Sequence, residues 1–226
     1  MQWSFDRLNL EGEDIREDLQ SLDLDLFSKL TVGDFACGWG YTTLSLMLEL
    51  HDAECIGVDQ FKKNLVLDVP SLDEVQRQFD EVKNNVLSQV NLKQEGGIKN
   101  DVYQLFNNGR FPKFQIADIV KGRNLPSGLD FVYCKKLLQN VFEGGYNISP
   151  NGDEGVQLAI ENITKTVKQG GLVCIVEPAG KNFMTFLESS GLELVRCCRI
   201  NRSDINGETR VSLYKAQYLV YIYAKP

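Results

Sequence analysis

Apolar residues recur at helical spacing in four parts of the chain. The first is an acidic segment, residues 11–30, and the second follows Gly40. The third opens with a capping box, Ser71-Leu72-Asp73-Glu74, and stops at Gly96-Gly97, and the fourth ends near Gly109. This spacing predicts four helices. Their apolar positions are Ile15, Leu19, Leu22, Leu26, Phe27 and Leu30; Leu44, Leu46, Met47, Leu48 and Leu50; Leu72, Val75, Phe79, Val82, Val86 and Val90; and Ile98, Val102, Leu105 and Phe106.

A short apolar strand, a turn of small residues, a helix and a second strand follow one another between residues 32 and 59. Ala36, Gly38 and Gly40 occupy every second position of the turn, and Asp59 ends the second strand. Small residues let the backbone turn sharply and approach a ligand closely, and the helix points its amide donors into the turn. A carboxylate at the position of Asp59 suits two ribose hydroxyls. The passage therefore predicts a site for an adenosine.

The spacing of the turn separates two kinds of adenosine site. If G-x-G-x-x-G is read from Gly38, the branched residue Thr43 stands at the third glycine, which disfavours a nicotinamide dehydrogenase. The pattern Asp34-x-Ala36-x-Gly38-x-Gly40 instead resembles the first motif of the class I S-adenosylmethionine-dependent methyltransferases. Alanine replaces the usual first glycine of that family here.

The resemblance continues along the chain in the order of the family. Phe114–Asp118 resembles its third strand, Leu129–Cys134 its fourth, and Lys168–Pro178 its fifth strand with the preceding turn. Strands near 193–201 and 211–224 resemble the closing antiparallel pair. The resemblance implies an α/β fold: a Rossmann-like seven-stranded, mostly parallel sheet with one antiparallel strand and helices on both faces.

We expect residues 1–226 to be a single methyltransferase domain. Residues 1–30 would be an N-terminal helical segment, which either covers the cofactor, as in related folds, or packs as a surface helix. Residues 60–113 would be a helical insertion between the second and third strands. We favour a structural role for this insertion at the sheet edge over a lid or partner surface.

The resemblance implies S-adenosyl-L-methionine as the cofactor. The glycine-rich turn would surround its methionine end, Asp59 its ribose, and Asp118 with Ile119 its adenine. The residues assigned to the cofactor are Asp34, Ala36, Cys37, Gly38, Gly40, Asp59, Gln60, Asp118 and Ile119.

Catalytic candidates come from the expected carboxyl ends of strands and from the irregular segment 142–155. They are Lys135, Glu177 and Tyr146, and none has a spacing that singles it out. A general base is needed only when the acceptor is protonated at the working pH. The single histidine, His51, lies at a helix end away from the expected crevice, so we interpret it as a solvated residue.

These observations favour methyl transfer to a small-molecule acceptor. Cys134-Lys135-Lys136-Leu137 follows the fourth strand, where enzymes that methylate amino groups of bases or glutamine carry an Asn-Pro-Pro-Tyr-like sequence. The alternatives are a cofactor-binding or scaffold protein of the same fold without catalysis, and a protein or nucleic-acid methyltransferase.

Charge and cysteine content narrow the choice of partners. The chain has 24 basic and 31 acidic residues and a net charge of −7, which argues against a nucleic-acid partner. No apolar run reaches the ~20 residues that span a bilayer, and the first residues lack a leader pattern. We therefore expect a cytoplasmic protein. With one histidine and no Cys-x-x-Cys spacing among six cysteines, we expect no metal site.

Overall fold

The computed structural model describes residues 4–19, 29–50, 52–61, 70–88, 97–145, 148–203 and 215–226. The chain divides into two compact units, Met1–Asp118 and Ile119–Pro226. No helix in the described ranges has both the length and the apolar character that crossing a membrane requires.

In its described part, the first unit contains three parallel strands and four helices. The strands are β1 (Thr31–Phe35), β2 (Glu54–Asp59) and β3 (Lys113–Ile116), in the order β3-β2-β1. Thr31 pairs with Glu54 at the amino ends of β1 and β2, and Asp59 pairs with Ile116 at the carboxyl ends of β2 and β3. The helices are α1 (Phe5–Leu19), α2 (Tyr41–Glu49), α3 (Leu72–Ser88) and α4 (Ile98–Asn107).

The second unit contains four strands and three helices among its described residues. Strand β4 (Leu129–Lys135) is parallel to β5 (Val167–Pro178), whereas β7 (Lys215–Ala224) runs antiparallel to both β5 and β6 (Glu193–Ser203). The helices are α5 (Leu137–Phe142), α6 (Gly152–Thr166) and α7 (Met184–Ser189).

The seven strands have the order β3-β2-β1-β4-β5-β7-β6 in a single sheet. Strand β7 runs antiparallel to both of its neighbours, whereas the pairs β1–β2, β2–β3 and β4–β5 are parallel. The predicted fold class, a Rossmann-like sheet with one antiparallel strand, is therefore confirmed.

Local sequence signals explain how α3 begins. Glu74 Oε2 accepts hydrogen bonds from the backbone N–H of Ser71 at 2.9 Å and from its hydroxyl at 3.1 Å. In return, the Glu74 N–H donates to Ser71 Oγ at 3.3 Å. This is the predicted capping box, and the buried face of the helix then follows the predicted spacing through Val75, Phe79, Val82 and Val86.

Helix α1 packs on α2. It begins at Phe5, inside the predicted segment 1–30 and ahead of the apolar spacing that starts near residue 11, because Leu8 and Gly12 extend the buried face of Ile15 by two turns. The Ser45 hydroxyl of α2 donates to the Leu8 carbonyl at 3.2 Å, and Arg16 lies 3.3 Å from Glu49. These contacts favour the packed-helix interpretation of the N-terminal segment. Residues 20–28, which the prediction included, lie outside the described residues.

Candidate functional site

The turn after β1 has an unusual backbone conformation. Ala36, Gly38 and Gly40 have φ angles of 64°, 51° and 79°, all in the left-handed region. Glycine adopts this region at no steric cost, whereas an alanine there is strained. The Ala36 N–H donates to the Val58 carbonyl at 2.8 Å, so the turn lies against the carboxyl end of β2.

Ala36→Gly is therefore expected to stabilise the protein. Relief of a left-handed alanine, worth about 1–2 kcal/mol, exceeds the added entropy of an unfolded glycine, so we expect the free energy of unfolding to rise by about 0.5 kcal/mol. Urea unfolding measures the change. Ala159→Gly in the interior of α6 serves as the control and is expected to lower the same quantity by about 1 kcal/mol. Destabilisation by both substitutions would contradict the strain at residue 36.

The carboxylate of Asp59 joins this turn to the end of β2. Its Oδ2 accepts a hydrogen bond from the Gly38 N–H at 3.0 Å, and its Oδ1 accepts one from the Gln60 N–H at 2.7 Å. Burial raises the pKa of Asp59, and these backbone donors, together with Phe61, act to lower it. An ionised carboxylate has about four acceptor positions. With three backbone donors on it, Asp59 holds the turn and has about one acceptor position left for a ribose hydroxyl.

Asp34 lies beneath the turn rather than in it. Its side chain is buried, and Oδ2 accepts a hydrogen bond from the Thr43 hydroxyl at 2.6 Å. This bond fastens α2 to β1. Thr43, which sequence reasoning used only to disfavour a dinucleotide fingerprint, therefore has a structural function of its own. A polar residue in the first turn of the helix, three positions after Gly40, is the signal that could have shown it.

Cys37, the residue between Ala36 and Gly38, points its side chain into the protein interior. Its side chain is buried, and the pKa of its thiol is raised well above its usual value by burial and by the nearby carboxylates of Asp34 and Asp59. The thiol is therefore neutral at physiological pH and is not a nucleophile.

Gly40 is covered by an aromatic pair from distant parts of the chain. A Cβ atom at this position would lie 2.6 Å from the Phe114 ring and 2.9 Å from the Phe79 ring. The two rings have centroids 5.0 Å apart, and Phe61 meets Phe114 edge to face at 6.3 Å. A Cβ atom at Gly38, by contrast, would meet no atom of the described residues within 4 Å, so this face of the turn is open there.

The expected adenine-binding residues follow β3. Asp118 is half-buried and Ile119 is buried. The Ala117 N–H donates to the Asp59 carbonyl at 2.9 Å, which holds this segment beside the end of β2. Ile116, the register partner of Asp59, is 50% exposed. Sequence reasoning did not select Ile116, although its place at a strand's carboxyl end next to Asp118 was a usable signal.

Seven predicted cofactor residues thus come together in the first unit. They are Asp34, Ala36, Cys37, Gly38, Gly40, Asp59 and Gln60. Asp118, the eighth, is the last residue of the first unit, and Ile119, the ninth, is the first residue of the second unit. Among the described residues, no group of three or more His, Cys, Asp or Glu side chains could hold a metal ion.

The structure gives Glu177 a role at the start of α5. Its carboxylate is fully buried and accepts hydrogen bonds from the backbone N–H groups of Leu138 at 2.6 Å and Gln139 at 3.2 Å. These are N-terminal amides of a short helix, which need such acceptors. Burial raises the pKa of Glu177 to about 8. The carboxylate faces backbone amides rather than solvent, which favours a structural function over a catalytic one.

Glu177→Gln is expected to remove part of the pH dependence of stability. Between the unfolded pKa near 4.3 and the folded value of about 8, the folded protein holds a proton that the unfolded chain lacks. Stability therefore falls as pH rises from about 5 to 8 in the wild type, and glutamine has no such proton to lose. As pH rises through this range, the melting temperature of the wild type should fall relative to that of the variant. A gap that is constant with pH would contradict the assignment.

The structure gives no catalytic geometry for the other two candidates, Lys135 and Tyr146, among the residues that it describes. Lys135 ends β4 and is half-buried. The neighbouring Lys136 places its ammonium 5.5 Å from the ring centroid of Tyr218. Tyr146 lies outside the described residues, as does His51.

Comparison with known proteins places this geometry in a known fold. A TehB-like SAM-dependent methyltransferase from Corynebacterium glutamicum has a TM-score of 0.51 and 14% identity, over 99% of this chain and all of the other. Magnesium protoporphyrin IX methyltransferase from Synechocystis PCC 6803 has a TM-score of 0.56 and 14% identity, over 97% of this chain and 80% of the other. The cyclase SpnF has a TM-score of 0.56 and 14% identity, over 100% and 84%.

No protein-family model matches the chain, and no match was found among curated protein sequences. At 14% identity the structural likeness shows the fold alone: the chain has the fold of the class I methyltransferases. Because SpnF is described as a cyclase, the same fold also serves other chemistry.

Proposed function

We propose that this chain binds S-adenosyl-L-methionine and transfers its methyl group to a small-molecule acceptor. The observation that carries the proposal is the left-handed turn that Asp59 ties to β2, with an open face at Gly38. A fold shared with methyltransferases supports it.

The residues around the turn fit this cofactor. The Asp59 carboxylate keeps about one acceptor position for a ribose hydroxyl, and the open position at Gly38 allows a ligand to approach the backbone closely. The first turn of α2 provides amide donors beside it. We assign the adenine to Asp118 and Ile119, as the resemblance to the family implies.

The bound cofactor would supply a methyl group that is already activated for transfer. The protein then has to bind the acceptor, orient its nucleophilic atom and exclude water. Glu177 would stabilise the start of α5, since its side chain accepts hydrogen bonds from the backbone N–H groups of Leu138 and Gln139. The net charge of −7 favours a small molecule over a nucleic acid as the acceptor.

Isothermal calorimetry tests the cofactor assignment. We expect the purified protein to bind S-adenosylmethionine and S-adenosylhomocysteine and not to bind NAD. Binding of NAD without binding of S-adenosylhomocysteine would overturn the assignment. A screen of metabolites for formation of S-adenosylhomocysteine then tests turnover, and cofactor binding without turnover on any acceptor would favour the non-catalytic alternative.

A further inference from the structure

A surface cavity of about 510 Å³ lies at the amino ends of the three strands of the first unit. Its lining includes Glu54 and Lys113, the first residues of β2 and β3, and Lys29, which precedes β1. The glycine-rich turn and Asp59 lie at the opposite ends of these strands. Along β2, Glu54 and Asp59 are about 17 Å apart at the usual rise per residue. We call it the basal cavity, and it is separate from the candidate cofactor site.

Both charged and apolar side chains line the basal cavity. The charged ones are Lys29, Asp52, Glu54, Arg110 and Lys113, and the apolar ones are Met47, Ala53, Cys55 and Phe111. The lining thus has one more positive than negative charge, in a chain whose net charge is −7. An additional cation stands beside it, because Lys83 lies 4.2 Å from the ring centroid of Phe111.

Two lysines share one carboxylate at the mouth of the cavity. Lys29 Nζ lies 2.8 Å from Glu54 Oε1, and Lys113 Nζ lies 3.6 Å from Glu54 Oε2. The two lysine side chains are 71% and 68% exposed. Counting the residues that the structure describes, the single carboxylate of Glu54 pairs with two lysines and so offsets one of their two positive charges.

Arg110 is held more firmly than the lysines. Its Nη2 donates to the Ala53 carbonyl at 2.9 Å, and its side chain is 30% exposed. The carboxylate of Asp52 is 3.7 Å from Nη1 and is itself 80% exposed, so water screens this pair. The guanidinium is thus fixed at the cavity while its charge is only partly compensated, and a planar guanidinium suits an oxyanion.

We propose that the basal cavity binds a small organic anion, with an apolar or aromatic body and one acidic group. The acidic group would lie at Arg110 with the two lysines nearby, and the body would pack on the half-buried Phe111. The cavity volume falls within the range of about 300–1,000 Å³ that small-molecule sites occupy. This inference does not depend on the proposed methyltransferase activity.

A matched pair of fluorescent probes tests the proposal. 8-Anilinonaphthalene-1-sulfonate has an aromatic body and one sulfonate, and N-phenyl-1-naphthylamine is the same body without the sulfonate. In titrations followed by fluorescence, we expect the sulfonate to bind at least about tenfold more tightly. Equal affinity for the two probes, or no binding of the sulfonate, would overturn the proposal.

Two substitutions with opposite expected effects locate the probe in the basal cavity. Arg110→Met should weaken binding of the sulfonate about tenfold, whereas Glu54→Gln should strengthen it several-fold because a competing carboxylate is removed. Neither should change binding of the neutral probe. If Arg110→Met fails to fold, Lys29→Met supplies the same test with a smaller decrease. Unchanged affinity for the sulfonate in both charge variants would place the probe elsewhere and refute the inference.

Discussion

Gly40→Ala is expected to lower the free energy of unfolding by about 2–5 kcal/mol. The added Cβ would lie 2.6 and 2.7 Å from two atoms of the Phe114 ring and 2.9 Å from Phe79. Overpacking of this kind costs about 1–3 kcal/mol, and the left-handed φ of 79° adds about 1–2 kcal/mol for an alanine. Both rings are packed against each other, so neither can move aside freely. Urea unfolding, or the fall in melting temperature, measures the effect.

Gly38→Ala is the matched control for this substitution. Gly38 lies two residues earlier in the same turn and has a left-handed φ of 51°, but its added Cβ would have no described atom within 4 Å. We expect it to cost only about 1–2 kcal/mol of stability. Because its Cβ would project into the open face of the turn, it should weaken binding of S-adenosylhomocysteine while the protein remains folded. Equal destabilisation by the two substitutions would show that the contact of Gly40 with the aromatic rings does not add to the cost of an alanine there.

The comparison of Gly40 with Glu177 shows which features the sequence could predict. The turn was predictable because glycine, as at Gly38 and Gly40, adopts the left-handed region readily, whereas the same conformation at Ala36 could not be foreseen from the residue type. The contact between Gly40 and Phe114 was not, since it joins positions that only the pairing of β2 with β3 brings together. Glu177 was a reasonable catalytic candidate at a strand's carboxyl end. Its burial against the amides of α5 depends on the path of the chain after Lys136.

The helices also separate into features that depend on neighbouring residues, which the sequence could predict, and features that depend on distant residues, which it could not. The capping box at Ser71 is local, so the start of α3 could be predicted from four residues. The apolar spacing of residues 11–30 did not show where in the segment 1–30 helix α1 begins, because Gly12 carries no hydrophobic signal although its small size lets α1 lie against Glu49 of α2. Thr43 escaped notice as a site-organising residue for a similar reason, since the partner of its hydroxyl lies on another element.

Asp59→Ala is expected to raise the dissociation constant of S-adenosylhomocysteine by about tenfold to a few hundredfold. Hydrogen bonds to a charged acceptor contribute about 1.5–3 kcal/mol, and each 1.4 kcal/mol is a factor of ten. The structure adds a second route to this loss, because the same carboxylate accepts hydrogen bonds from the N–H groups of Gly38 and Gln60. Weaker binding could therefore follow from a lost ribose contact or from a loosened turn.

Cofactor analogues without one ribose hydroxyl separate these two routes. If Asp59 accepts from the ribose, wild-type protein should discriminate against at least one of the 2′-deoxy and 3′-deoxy forms of S-adenosylhomocysteine, and Asp59→Ala should bind all three ligands alike. If Asp59 only holds the turn, the variant should lose affinity for all three by the same factor and keep the wild-type ratios. Asp59→Asn should recover part of the affinity, since it retains one acceptor oxygen but places an amide donor where a second acceptor stood. Calorimetry with each ligand, on variants that still unfold cooperatively, measures the ratios. If Asp59→Ala keeps the wild-type ratios of the three dissociation constants, Asp59 does not contact the ribose. Its function would then be to hold the turn through its hydrogen bond with Gly38.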